Sequence, residues 1–342
     1  MWVCPRCGIS NREEGKFCDN CAQPRLARTF DQAMSASAPR IPANRIRDAI
    51  KERSETDRRV SDGWVLLAVL GFWASGGIYV VVLFIYLGSL LHIDFGDTSE
   101  NLYEWFYLYS RFIAMTLFGA FFTVLAYKLL NRLNLHNKRE EDLRASVMAY
   151  LKMSPRPPNS DPEIVDQLIS LSAFDGQAMV YEKRLDAQKW AYGTGLILFL
   201  AGLTGLLGSW LSMRMFSDSF NSFDLWPFEF AFQMASSVLS LVGLVALIAL
   251  ASHLMKTIYT HSVRWRGFSN STTIAMRKLG MPMKIPAVND PNKERSLVIY
   301  AVATIVTLGL FGFYWLHVLI KDPQRHFEDQ HPFEDQLLAA IE

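Results

Sequence analysis

Residues 64–91 read WVLLAVLGFWASGGIYVVVLFIYLGSLL, with no Asp, Glu, Lys, Arg or His among them. A run of about 18 or more apolar residues without charge is the signature of a helix that crosses a bilayer. Working outward, Trp190–Met213, Phe230–Ser252 and Leu297–Ile320 are runs of the same kind, the last holding only His317. Trp105–Tyr127 is a fifth, interrupted by Arg111. Five such runs in 342 residues exceed what a soluble core of this size can bury. The averages, 51% apolar and 20% charged with a mean hydropathy of +0.13, conceal this because the apolar residues come in blocks. The fold class expected is an all-α helical membrane bundle of about five transmembrane helices, spanning about 64–91, 105–127, 190–213, 230–252 and 297–320.

The net charge of +1 is uninformative, but its distribution is not. Basic residues gather before the first run (Arg40, Arg45, Arg47, Lys51, Arg53, Arg58, Arg59), between the second and third, and between the fourth and fifth. The segment after the first run carries Asp94, Asp97, Glu100 and Glu104 with no basic residue. Basic loops stay in the cytosol, so the sequence predicts a multi-pass protein of the cell membrane with a cytosolic N-terminus and, after five crossings, an extracytoplasmic C-terminus. Residues 1–30 lack the apolar core of a signal peptide.

All four cysteines fall in the first 21 residues, as Cys4-Pro5-Arg6-Cys7-Gly8 and Cys18-Asp19-Asn20-Cys21. Each C-x-x-C turn delivers two thiolates, and two turns fill the tetrahedron that zinc prefers. A reducing compartment keeps such thiols available for metal, which agrees with the cytosolic side. The expectation is a zinc ribbon over 1–24 holding one structural zinc, with metal supplying most of its folding free energy. The stretch resembles the small zinc-ribbon heads at the N-terminus of many bacterial and archaeal proteins, through Cys4, Pro5, Cys7, Gly8, Phe17, Cys18 and Cys21. Ala22 stands where that family usually has a second glycine. The resemblance implies recruitment of a partner. Arg6, Arg12, Lys16, Arg25 and Arg28 are offset by Glu13, Glu14 and Asp19, so no basic stripe favours nucleic acid. Thr307–Trp315 (TLGLFGFYW) is similar to a motif in a family of small prokaryotic membrane proteins of unknown function.

Residues 25–62 read as a flexible Ala/Ser/Pro-rich tether followed by a basic juxtamembrane helix carrying Ile46, Ile50 and Val60; the membrane domain occupies 63–342. Cytosolic amphipathic helices are expected in 136–189 and 256–295. Asp161-Pro162-Glu163 supplies an N-cap, a proline at the first helical position and an acid in the first turn; the helix behind it places Ile164, Leu168 and Leu171 on one face. An internal repeat also shows. The second run leads into His136-Asn137-Lys138-Arg139 and the fourth into His261-Ser262-Val263-Arg264, as a duplicated two-span hairpin with a third copy begun by the fifth run would produce.

Few residues within the runs could carry chemistry. His136, Arg139, His261 and Arg264 stand where helices leave the bilayer, and contact with lipid phosphates is their expected role. Gly202, Gly205 and Gly208, three residues apart, are expected to pack one helix closely on another, within the bundle or in a homo-oligomer. No nucleophile elbow, phosphate-binding glycine loop or H-E-x-x-H is present. The function expected is a non-enzymatic membrane scaffold, assembly factor or complex subunit with a ribbon that recruits a protein partner. A transporter or channel is one alternative. A lipid-modifying enzyme using His136, His261 or His317 with an acid such as Asp329 is another.

Overall fold

The computed structural model describes residues 2–3, 10–11, 42–71, 97–153, 161–182, 184–217, 225–285, 294–307 and 309–342. Two short antiparallel strands, β1 (Trp2–Val3) and β2 (Ser10–Asn11), pair Trp2 with Asn11 and Val3 with Ser10, on either side of Cys4 and Cys7 in the chain. The four cysteines and the tether before Pro42 lie outside the described residues. The rest is helical: α1 (Pro42–Lys51), α2 (Arg53–Thr56), α3 (63–71), α4 (Asp97–Lys152), α5 (Pro162–Tyr181), α6 (Ala187–Ser217), α7 (Trp226–Lys278), α8 (Leu297–Val306) and α9 (Leu310–Ile341).

Helix length divides the molecule into two halves. At 1.5 Å per residue α4 and α7 run about 84 and 80 Å, and a bilayer core covers only about 30 Å of either. One half is apolar outside: Ile113, Leu117, Val238, Leu241 and Val245 are all exposed. Here α4, α6 and α7 meet through small residues. Gly202 lies against Phe112 and Met115 of α4, Gly208 against Gln233 of α7, and Gly205 is buried as well. The Ser236 hydroxyl donates to the Ala201 carbonyl at 2.8 Å across the α6–α7 contact. Helices α4, α6 and α7 are long and apolar enough to cross a membrane. Of the expected first span, 63–71 is helical and the remainder lies outside the described residues.

In the other half, the head, the helices close around a buried core. Ile46 and Ile50 of α1, Leu143 and Val147 of α4, Leu171 of α5, Phe268 and Met276 of α7, and Phe333 and Leu337 of α9 share one core. The basic helix expected at the headgroups therefore buries its isoleucines against α4 and α9 instead. Helix α5 starts as its sequence dictates: Asp161 accepts from the Glu163 N–H at 2.9 Å, with Pro162 at the first helical position. Ile164 and Leu171 on its predicted apolar face are buried.

The fifth run does not form one span. Helix α8 ends after ten residues, about 15 Å or half the hydrocarbon core. Gly309, at φ 92°, turns the chain through the left-handed region that only glycine enters at no steric cost. The Thr307 hydroxyl accepts from the Phe311 N–H at 2.9 Å, and α9 runs back alongside α8. Tyr300 packs on Trp315 at 5.9 Å, and Arg295 grips Asp322 with two nitrogens at 2.8 and 3.1 Å. The stretch resembling a membrane-protein motif is thus the corner of a helical hairpin. Helix α9 continues along the head, tied by Lys321–Asp62 (2.8 Å), Arg59–Glu328 (2.9 Å) and Arg53–Asp335 (2.9 Å). Helix α1 and the end of α9 share a core, so these two segments lie on one side of the apolar half.

Candidate functional site

Lys128, Lys189, Lys256 and Lys321 stand next to the ends of the apolar runs in the chain. About two helical turns further along α4 lies a polar centre that is buried throughout. His136, Glu140, His261 and His326 are 0, 2, 1 and 3% exposed. The expected lipid-phosphate role of His136, Arg139, His261 and Arg264 is not what this placement serves. Their side chains point into protein, and each is bonded to a carboxylate from another segment.

The internal repeat supplies those carboxylates. His136 Nδ1 lies 2.8 Å from Asp57 Oδ1, and Arg139 donates to Asp57 Oδ2 at 3.0 Å. His261 Nδ1 lies 2.9 Å from Glu182 Oε1, and Arg264 donates twice to that same oxygen, at 2.9 and 2.7 Å. Each His–acid pair is separated by 79 residues and each Arg–acid pair by 82. Two hairpins thus repeat one device: an acid ahead of the outgoing helix receives a His-x-x-Arg pair from the returning one. Helix α9 brings a third histidine without the acid; His326 Nδ1 meets the Ser262 hydroxyl at 2.8 Å. The three imidazoles lie with ring centroids 4.8–5.9 Å apart.

The copies differ at the next residue. Glu140, following Arg139, points into the centre: its Oε2 is 2.5 Å from His261 Nε2 and 3.6 Å from His136 Nε2. At the matching position after Arg264 stands Trp265, which packs on Phe268 and Phe333 of the apolar core. Around the centre Arg144 pairs with Glu140 and Asp175, Arg139 donates to Glu334 at 2.7 Å, and Gln330 lies 2.9 Å from His326 Nε2.

Burial and charge pull the ionisable groups in opposite directions. Burial alone would raise Asp57, but the hydrogen bond from His136, the nearby His331 and the Arg139 charge hold it well below the usual carboxylate range. For Glu182 burial is likewise outweighed, by the charge and hydrogen bond of His261, and its value falls to about 2. Burial prevails at Glu334, raised although Arg139 opposes it, and at Asp175, raised against Arg144. His326 is pushed far below the ordinary imidazole value by burial and by the charges of His261 and His136. A neutral imidazole is the form that offers a lone pair to a metal.

Sequence reading singled out His136 and His261 but missed His326, Glu140, Asp57 and Glu182. A signal for His326 was present, since all three histidines follow the end of an apolar run by six to nine residues. Nothing in the sequence marks Glu140 among its charged neighbours. His317 and Asp329 are outside the cluster. A groove between α7 and α9, lined by residues including Leu254, Tyr259, Arg295, Leu319 and Asp322, contains none of the four central residues. Comparison with protein-family models, with curated proteins and with solved structures finds no match for this chain.

Proposed function

We propose that the chain is a non-enzymatic membrane scaffold, an assembly factor or subunit of a larger membrane complex. Its zinc ribbon, with Cys4, Cys7, Cys18 and Cys21 around one structural ion, would recruit a protein partner. One observation carries the reading. The buried polar centre draws side chains from the segment after α2, from α4, from the end of α5, and from α7 and α9, and pairs them with one another. A buried network that ties separate segments together in this way fixes how helices sit, which suits a rigid platform. The positive-inside rule puts the basic head in the cytosol, and both ends of the chain with it.

The test is purification of the full chain from native membranes in mild detergent. A protein retained at fixed stoichiometry, and released when the four cysteines are changed to serine, is the expected result. A monomer that retains nothing, or ion flux when the pure chain is placed in liposomes, would overturn the reading.

A further inference from the structure

We propose that His136, His261, His326 and Glu140 bind one divalent transition-metal ion, a site distinct from the cysteine ribbon. Each offers one ligand atom, and the four atoms lie within 4.8 Å of one another. They come from three helices, α4, α7 and α9, so no local sequence motif assembles them.

Three features of the geometry point to a metal rather than to a set of packed polar groups. The first is how the rings are aimed. Every Nδ1 is held from outside the cluster, by Asp57 at 2.8 Å, by Glu182 at 2.9 Å and by the Ser262 hydroxyl at 2.8 Å. An acceptor at Nδ1 fixes the proton there and leaves the Nε2 lone pair directed inward, the arrangement by which proteins orient metal-binding histidines. The second is what the inner nitrogens lack. Nε2 of His136 and of His261 is buried without a hydrogen-bond partner. Glu140 Oε2 lies 2.5 Å from His261 Nε2, and the two would open apart to share a cation. Leaving such groups unsatisfied is costly, and a cation would satisfy all of them together.

The third is the donor set. Three imidazoles and one carboxylate form a borderline nitrogen–oxygen set that suits zinc and its neighbours in the first transition row. Bonds of about 2.0–2.2 Å in a tetrahedron place ligand atoms roughly 3.4 Å apart. Side-chain rotations would have to bring the wider separations, up to 4.8 Å, in to that value and open the 2.5 Å one out to it. Gln330, whose amide nitrogen lies 2.9 Å from His326 Nε2 and 3.3 Å from Glu140 Oε2, would have to turn aside. With all four positions filled by protein, the ion would be structural, clamping the two repeated hairpins to α9.

The rival account is a proton: His261 as an imidazolium between Glu140 and Glu182, with no metal bound. Metal analysis of the full chain separates the two, provided the ribbon is silenced. With Cys4, Cys7, Cys18 and Cys21 all changed to serine, the detergent-purified chain should retain about one zinc per molecule. After chelation and loading with Co²⁺ alone, it should show visible ligand-field bands without the near-ultraviolet charge transfer that thiolates give. His261→Ala in that background should abolish both signals. Glu182→Gln, which loosens only the outer support, should weaken zinc binding by about 10- to 100-fold in a chelator competition. If His261→Ala fails to fold, the cobalt spectrum of the cysteine-free chain decides alone. A cysteine-free chain with native helical circular dichroism that neither carries zinc nor develops cobalt bands would overturn the proposal in favour of the proton.

Discussion

Along α4, Ile113 and Leu117 face outward, 48 and 65% exposed, while about six turns further on Arg139 is 1% exposed and Glu140 2%. Helix α7 makes the same change, from exposed Leu241 and Val245 to buried His261 and Thr272. The same two helices therefore build opposite interiors. In lipid no solvent drives apolar side chains inward, so contacts are made by glycine and serine and the large apolar residues face the hydrocarbon. In the head, water drives Leu, Phe and Met into a core, and a charged centre is kept only because its members are paired. A helix that crosses the boundary has to satisfy both rules at different heights, and the polar centre sits where the rules change.

The predictions that follow bear on that contrast. The largest effect is expected from Arg139→Met, which removes the shared cation from buried Asp57 and Glu334 at a cost of about 3–5 kcal/mol. Arg264→Met, at the matching place in the second hairpin, should cost about 1.5–3 kcal/mol, because its side chain keeps some solvent and is bonded to Glu182. Thermal unfolding in detergent compares the two, and equal losses would remove the asymmetry between the copies. In the membrane half the sensitive positions should be the smallest residues. A side chain at Gly195 overlaps the Thr123 hydroxyl, which donates to the Gly119 carbonyl at 2.7 Å. Gly195→Val should therefore cost about 1–3 kcal/mol. Leu117→Ala on the lipid face should shift the melting temperature little, and a reversal of that order would mean the apolar residues carry the packing.

Between the halves, Gly309→Ala places a Cβ in the left-handed region and should cost about 1–2 kcal/mol. A single cysteine added at the C-terminus of a cysteine-free chain should be labelled from the same side of the membrane as one added at the N-terminus. Labelling from opposite sides would restore a continuous fifth span. Ser236→Ala should cost only about 0.6 kcal/mol, the usual worth of a helix–helix hydrogen bond in lipid. The smallest effect is expected at Asp175. Its carboxyl is raised from 3.8 by burial, and it faces Arg144, Glu141 and Glu182. A raised acid contributes stability fully below its ordinary value and loses it as pH rises through the folded value. Asp175→Asn should flatten that decline, read as denaturation midpoint against pH; an unchanged slope would show that Asp175 ionises without cost.

The repeat illustrates how far the sequence could be followed. His136-x-x-Arg139 and His261-x-x-Arg264 are legible as echoes because they are contiguous and follow apolar runs. Their partners Asp57 and Glu182 lie 79 residues earlier, beyond any local pattern. The helical-membrane class, the Asp161 cap and the small residues of α6 were readable because helix formation, capping and close packing depend on nearest neighbours along the chain. The burial of Ile46 and Ile50 was not, since a short basic helix looks the same whether it lies on a membrane or on α4.

By itself, the amino-acid sequence determined which segments are apolar enough for lipid and where helices begin. Tertiary structure alone decided that Leu297–Ile320 folds back on itself, because the left-handed Gly309 matters only once α9 has a head to pack against. It also decided that three histidines and Glu140 from separate helices meet. Side-chain convergence across hairpins is set by helix packing, and no spacing in one dimension records it.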